Sequence, residues 1–182
     1  MIAFLLITLA VGALAAVSDY RTGLIPNALT LSAIVVGFFG HGAHGWYSAG
    51  WQAALSEAGL ALLGLLCCSL APAFMYWKGG MGGGDVKLFA AIGALCQPLL
   101  GIEIQMYGLV VAALVAPARL AYEGKLFSVL SGTLAVALNP LLPPARRRTL
   151  PAEALTPFRL GPAIFAGVLI SLLLRSYAAL PG

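Results

Sequence analysis

Two aspartates lie in the polar stretches of this sequence whose composition is most typical of a reactive site. Asp19 belongs to residues 18–27, Ser-Asp-Tyr-Arg-Thr-Gly-Leu-Ile-Pro-Asn, and Asp85 belongs to residues 78–88, Lys-Gly-Gly-Met-Gly-Gly-Gly-Asp-Val-Lys-Leu. Five glycines in the six positions 79–84 leave that backbone with little steric restriction, so it can approach another backbone or a substrate closely. Two of only six acidic residues therefore stand in unusual surroundings.

A pair of carboxylates in one pocket can hydrolyse a peptide bond. Two such groups cannot both ionise cheaply, so one keeps its proton while the other acts as a base toward a water molecule between them. Because such a pair titrates as a unit, neither Asp19 nor Asp85 is assigned permanently as the acid or the base. This chemistry uses no metal ion, no cofactor and no serine or cysteine nucleophile, and we expect none.

Each aspartate also has an ordinary structural interpretation. Asp19 could end a helix at the membrane surface, with Arg21 against lipid headgroups, and Asp85 could be the N-cap of the helix that follows it. A transporter could use both acids to bind protons or cations, and a non-catalytic scaffold of a pilus or secretion machine would need neither for chemistry. The absence of an inverted repeat and of an acid at mid-span disfavours the transporter.

The composition places these residues in a membrane. Of 182 residues, 61% are hydrophobic and 9% are charged, and the mean hydropathy is +0.98, whereas a soluble domain has about 25% charged residues. A water-soluble single domain is excluded, and a net charge of +4 is too dilute for a nucleic-acid-binding surface. Cys67, Cys68 and Cys96 lie in apolar runs without a C-x-x-C pair, so we expect core residues and no zinc or redox site.

Seven apolar segments follow one another, and we predict an all-α, polytopic membrane protein with about six transmembrane helices in a single membrane-embedded domain (1–182). The predicted spans lie near residues 1–17, 28–42, 58–77, 88–102, 104–118 and 160–174. The first lacks a basic region before it, so we expect a retained span rather than a cleaved signal peptide. Segment 126–142 carries polar residues and ends at prolines, and we predict that it is an interfacial segment on the cytoplasmic leaflet.

The basic residues orient the predicted spans. Lys and Arg near span ends favour the cytoplasm, and six spans with the N-terminus outside put nine of the ten basic residues on that side. If 126–142 also crossed, the division would be six to four. Asp19 and Asp85 then lie at the same membrane boundary, and we expect a multi-pass protein of the cytoplasmic (inner) membrane whose active site opens toward the cytoplasm.

The polar stretches resemble the motifs of a known family. Residues 82–88, Gly-Gly-Gly-Asp-Val-Lys-Leu, match the G-x-G-D signature of intramembrane aspartyl proteases and its G-x-G-D-x-K-L form in type IV prepilin peptidases. Residues 19–27, Asp-x-Arg followed by Ile-Pro-Asn, are similar to the first-aspartate motif of that family. Residues 157–164, Pro-Phe-Arg-Leu-Gly-Pro-Ala-Ile, look like the start of its final helix, with Arg159 and Leu160 making a looser match.

The resemblance implies a membrane aspartyl endopeptidase with Asp19 and Asp85 as its catalytic pair. Its partners would be prepilin or pseudopilin precursors, from which it would remove a short basic leader, typically after glycine, at the cytoplasmic face. The residues implied to support the site or bind substrate are Arg21, Pro26, Asn27, Gly82, Gly83, Gly84 and Lys87. Side chains two positions apart on a helix diverge, so an ion pair between Lys87 and Asp85 is not assured, and a headgroup anchor is an equal interpretation of Lys87.

The chain resembles the short, peptidase-only members of the family, as found with Tad/Flp pilus systems and in archaeal preflagellin processing. The large bifunctional members carry a cytoplasmic insertion with paired C-x-x-C zinc sites, which this sequence lacks, so we expect no N-methyltransferase activity. Presenilin-like cleavage inside a transmembrane helix is the nearest alternative within the protease class.

Other conspicuous residues are predicted to have structural roles. His41 and His44 are expected in a polar outer loop, because glycines surround them and no third metal ligand is near. The basic cluster 146–148 is expected to face lipid or solvent and to fix the topology. Six glycines are expected to let helices approach one another closely: Gly59, Gly64, Gly93, Gly101, Gly108 and Gly167.

Overall fold

A computed structural model describes residues 2–127, 129–131 and 159–178, and within these residues the chain forms helices and turns but no strand. The long helices, in chain order, are α1 (Ile2–Thr22), α2 (Asn27–Ala49), α3 (Trp51–Trp77), α4 (Gly83–Tyr122) and α5 (Gly161–Ala178). By length and composition, α1 to α4 can each cross a membrane, and a shorter apolar helix covers Gly161–Tyr177. The predicted all-α, polytopic membrane fold is confirmed.

Helix α4 consists of two helical segments that reverse direction at Gln97. Gln97 has φ 61° and ψ 175°, a combination that residues other than glycine rarely adopt. A Cβ built on Gly101 would lie 3.1 Å from the Cα of Gly93, whereas a straight helix would separate these positions by about 12 Å. Pro98 explains where the chain turns, because proline has no backbone N–H and excludes the preceding residue from the helical region.

This reversal changes the boundary between the fourth and fifth predicted spans. The prediction put a gap at Glu103, between 88–102 and 104–118, but Glu103 is helical and the chain turns six residues earlier. The chain nevertheless folds back on itself between two helical segments, as it would between two separate spans. Hydropathy alone predicted the pair of segments, and the structure shows that the turn between them lies at Gln97, directly before Pro98.

The first segment of α4 supplies much of the buried apolar core. Its largest apolar side chains, Leu88, Phe89, Ile92 and Leu95, are each 0% exposed. Large apolar side chains on the other helices are exposed instead, including Leu55 and Leu70 of α3. Such an exterior suits contact with lipid rather than with water.

Glycines allow the helices to pack closely around this core. Gly64 of α3 lies directly against Gly93 of α4, and a Cβ on Gly108 would lie 3.1 Å from the Cα of Ile164 in α5. The prediction of close approach is confirmed for five of the six glycines, including Gly101 and Gly167. It is wrong for Gly59, where an added Cβ would meet nothing within 4 Å.

The predicted outer loop around His41 and His44 is helical instead, and both residues lie within α2. His41 is 2% exposed, its Nε2 lies 2.9 Å from the carbonyl oxygen of Leu95, and its ring stacks on Phe4 with 3.8 Å between centroids. The glycines that suggested a loop are contact positions, since a Cβ on Gly40 would lie 2.9 Å from the Phe4 ring. The loop interpretation was wrong because these glycines serve packing.

Polar side chains hold the reversal of α4 in place. The Gln97 amide nitrogen donates a hydrogen bond of 2.6 Å to Glu57 Oε2 and lies 3.3 Å from His41 Nδ1. The three side chains come from α2, α3 and α4, so they join the helices where α4 turns. We interpret this cluster as structural.

The chain divides into two compact units, Met1–Val111 with Arg159–Gly182, and Ala112–Phe158. In the second unit, Arg119 and Lys125 donate hydrogen bonds to the carboxylate of Glu123 and lower the pKa of that carboxyl. The predicted interfacial segment 126–142 lies outside the described residues at position 128 and from residue 132 onward. The basic cluster 146–148 lies outside them entirely.

Candidate active site

Asp19 lies in the last turns of α1, just before the chain leaves the helix. Gly23 has a φ of 69°, which glycine adopts without strain, and its N–H donates a 2.9 Å hydrogen bond to the carbonyl oxygen of Asp19. This left-handed glycine caps the helix. Pro26, with φ −61° and ψ 130°, then precedes the first residue of α2, Asn27. A loop of four residues, 23–26, therefore separates the helix that carries Asp19 from α2.

The Asp19 carboxylate is enclosed by the start of α5. Asp19 is 6% exposed, and its Oδ2 accepts a 2.8 Å hydrogen bond from the backbone N–H of Gly161. Gly161 is the first residue of α5, where backbone N–H groups lack helical partners and favour a negative charge. A Cβ on Gly161 would lie 2.8 Å from Asp19 Cβ and 2.9 Å from Oδ2, so only glycine fits without displacement of the carboxylate.

Asp85 lies in the first turn of α4 and is half-buried. Helix α4 begins at Gly83, and the backbone N–H of Asp85 donates a 3.2 Å hydrogen bond to the carbonyl oxygen of Gly82. The N-cap interpretation of Asp85 is therefore wrong, because Gly82 occupies the position before the helix. The carboxylate points back at this glycine, since a Cβ on Gly82 would lie 3.0 Å from Asp85 Oδ2.

The glycines before Asp85 bring α4 against the loop after Asp19. A Cβ on Gly84 would lie 3.2 Å from the Cβ of Ile25, and one on Gly83 would lie 3.4 Å from the Tyr76 ring. Both distances leave little space for a larger residue. The glycine run thus makes a close contact between the two polar stretches.

Both aspartates line one cavity of about 470 Å³. Apart from the aspartates, its walls come from the loop after α1, the start of α2 and the start of α4, through Gly23, Leu24, Ile25, Pro26, Asn27, Gly82, Gly83, Gly84 and Lys87. The Asp19 and Asp85 carboxylates repel each other when both are ionised. Residues 66 positions apart in sequence thus line one small cavity.

A known protein family matches more than half of the chain. The family model of the type IV leader peptidase family matches residues 5–118. The chain belongs to this family. No curated protein and no solved structure gave a significant match. The matched range contains both aspartates and all of the walls of the cavity that they share.

The residues expected to support this leader-peptidase site differ in their positions. Pro26, Asn27, the three glycines 82–84 and Lys87 line the cavity, and Lys87 Nζ donates a 2.8 Å hydrogen bond to Asn27 Oδ1. Arg21 does not line the cavity and is exposed. Within the described parts of the chain, no hydrogen bond or ion pair joins Arg21 to another side chain.

Two further residues, Gly161 and Arg159, contact the segment that carries Asp19, although the sequence motifs assigned them no role in the site. Gly161 binds the Asp19 carboxylate, and Arg159 Nη1 donates a hydrogen bond to the carbonyl oxygen of Tyr20. The Arg159 guanidinium also lies 6.0 Å from the centroid of the Tyr20 ring, within the range of a cation–π contact. The Gly-Pro pair at 161–162 was the available signal, but only the fold shows which carboxylate it meets.

The described residues, 2–127, 129–131 and 159–178, contain no group of three or more His, Cys, Asp or Glu side chains that could hold a metal ion. All three cysteines are free, with Cys68 and Cys96 buried and Cys67 half-buried. The polar groups of the cavity are carboxylates, backbone amides, one lysine and one asparagine. This is an inventory suited to proton transfer at a bound peptide.

Proposed function

We propose that this member of the leader peptidase family is an aspartic-type endopeptidase with Asp19 and Asp85 as its catalytic residues. The observation that carries the proposal is that the two aspartates come from separate motifs and line one cavity. The other acids of the described chain have different surroundings: Glu57 joins the buried cluster at the turn of α4, Glu103 binds Ser171 and Arg175, and Glu123 is paired with Arg119 and Lys125.

In the proposed reaction, a water molecule lies between the two carboxyl groups. The ionised carboxylate removes a proton from this water as its oxygen bonds to the scissile carbonyl carbon, and the protonated carboxyl donates its proton to the carbonyl oxygen. The tetrahedral intermediate then collapses: the leaving amine takes a proton from the carboxyl that received one, the C–N bond breaks, and a hydroxyl of the intermediate returns its proton to the other carboxylate. The hydrogen bond from Gly161 to Asp19 Oδ2 fixes the orientation of one carboxylate throughout.

We propose prepilin or pseudopilin precursors as the substrates and the cytoplasmic face of the inner membrane as the place of cleavage. The apolar helix of the precursor would stay in the bilayer, and its short basic leader would carry the scissile bond to the cavity. The cavity suits this arrangement, because it lies where α1 ends and where α2 and α4 begin. The positive-inside distribution of Lys and Arg supports the cytoplasmic orientation.

The test is cleavage of candidate prepilins by the purified protein in lipid vesicles, with the cut located by mass spectrometry. We expect a cut at the boundary between the basic leader and the apolar segment, and a product whose new N-terminus is unmethylated. Asp19→Asn and Asp85→Asn should each reduce cleavage to background, since each removes one of the two groups that exchange protons.

The matched control is Glu103→Gln, which removes an acid bound to Ser171 and Arg175 away from the cavity. It should cleave at nearly the parental rate. Parental cleavage by either Asp→Asn variant would refute the catalytic pair and favour a non-catalytic membrane component. Ion uptake by vesicles that is lost in both variants, without any cleavage by the parent, would favour a transporter. A cut deep within the apolar segment would favour presenilin-like proteolysis.

A further inference from the structure

The hydrogen bond between Lys87 and Asn27 joins the two halves of the cavity. Lys87 Nζ lies 2.8 Å from Asn27 Oδ1, and the two residues are 60 positions apart in sequence. Asn27 begins α2 directly after the loop that follows Asp19, and Lys87 lies in α4 two residues after Asp85. Each partner is thus attached to the short segment that carries one of the aspartates.

The direction of the lysine side chain excludes a simple ion pair with its own neighbour. Residues two apart on a helix point about 200° away from each other, and no ion pair involving Lys87 occurs among the described residues. Lys87 instead reaches across the cavity to the amide oxygen of Asn27, a neutral acceptor that has a second lone pair. A headgroup anchor would extend away from the protein rather than toward this amide.

We propose that Lys87 and Asn27 form a positioning pair that sets the separation of Asp19 and Asp85. This inference rests on the proposed function, because the separation of the carboxylates matters only if both exchange protons with one water molecule. The same segments also approach each other at Gly84 and Ile25, where a Cβ on Gly84 would lie 3.2 Å from the Ile25 Cβ. The Lys87–Asn27 bond is polar and directional, so it fixes the register of α4 along the loop as well as its distance from it.

A double-mutant cycle on the full-length protein in vesicles tests the pair. Lys87→Met and Asn27→Leu should each lower kcat/KM by about 5- to 10-fold, as loss of a charge-assisted hydrogen bond at an exposed position does. The loss should lie mainly in kcat, and the double variant should be no worse than the poorer single variant. Asn27→Asp keeps an oxygen acceptor for Lys87 and should retain activity within about threefold.

Lys78→Met is the matched control for removal of a lysine near the same end of α4. Lys78 packs over the ring of Trp77, 4.7 Å from its centroid, and does not line the cavity. Its variant should cleave at nearly the parental rate. If Lys87 were a headgroup anchor, the fold losses of kcat/KM in the two single variants would multiply in the double variant. The loss caused by Lys87→Met would then also depend on whether the vesicles contain anionic lipid. Either result would overturn the positioning pair.

Chemical crosslinking measures the same property without a substrate. In a chain with its three native cysteines replaced by alanine, Asp19→Cys and Asp85→Cys together report how readily the two positions are bridged by a short bifunctional thiol reagent. Adding Lys87→Met should lower the crosslinking yield severalfold, and adding Lys78→Met should not. An unchanged yield with Lys87→Met would refute the positioning pair, whereas failure of the parent to cleave any prepilin would refute the proposed function alone.

Discussion

The segments that carry Asp19 and Asp85 are held by different means. Asp19 lies in the last turns of a long helix, α1, is 6% exposed, and accepts a hydrogen bond from the first residue of another helix, Gly161. Asp85 lies in the first turn of α4 after five glycines and is half-buried. Its segment contacts the other one through Gly84 and Lys87. One carboxylate is enclosed by tertiary structure, and the other is attached to a glycine-rich segment.

This difference teaches how a membrane protein can place two carboxyl groups in one small cavity. A buried carboxylate requires fixed hydrogen-bond donors, and the start of α5 supplies one to Asp19. The second carboxylate can then be brought near by a segment with little steric bulk, because glycines permit the close approach of backbones. We infer that substrate binding alters the Asp85 side more than the Asp19 side, since closure of enzyme sites commonly uses such segments.

Among substitutions of glycines, the largest effect is expected where a new methyl group would strike the enclosed carboxylate. In Gly161→Ala the Cβ would lie 2.8 Å from Asp19 Cβ, so Asp19 or the start of α5 has to move. Overpacking of this kind costs about 1 to 3 kcal/mol, which corresponds to a loss of roughly 5- to 150-fold in kcat/KM if it falls on the reactive arrangement. Steady-state cleavage of a prepilin measures it. Activity within twofold of the parent would contradict a rigid Asp19 side.

A smaller effect is expected for the same change on the Asp85 side. In Gly84→Ala the Cβ would lie 3.2 Å from Ile25 Cβ, a distance from which a side chain on a loop can retreat by a few tenths of an ångström. We expect kcat/KM to fall about two- to tenfold, with the thermal unfolding midpoint nearly unchanged. A loss larger than that of Gly161→Ala would reverse the assignment of the fixed and the adaptable side.

The smallest effect is expected earlier in the glycine run. Gly80 is exposed, and a Cβ on it would lie 3.5 Å from the carbonyl oxygen of Met75, an ordinary van der Waals distance. Gly80→Ala should therefore change cleavage by less than about twofold, as surface substitutions usually do. This variant is also the control for loss of a glycine as such. If Gly80→Ala abolished activity, the site would require backbone flexibility throughout residues 79–84 rather than the contacts of Gly84.

Much of this protein follows from the order of its residues. The scarcity of charge and the length of the apolar runs determined an all-α membrane protein, because each backbone group in a bilayer needs a partner within its own helix. The two motifs pointed to Asp19 and Asp85, since polar residues beside long apolar runs are costly and therefore conspicuous. The end of the first span was predicted near residue 17, whereas α1 continues to Thr22 and ends at Gly23, which has a φ of 69°.

The tertiary structure decided what depends on residues far apart in sequence. No local pattern reveals that Gly161 meets Asp19 across 142 positions, or that Lys87 reaches Asn27 rather than a lipid headgroup. The glycines around His41 suggested a loop, yet they lie within α2. Glycine is needed there because neighbouring side chains and backbones occupy the space that a Cβ would fill. The roles of these residues depend on contacts between helices that are far apart in sequence, and such contacts form only when the whole chain folds.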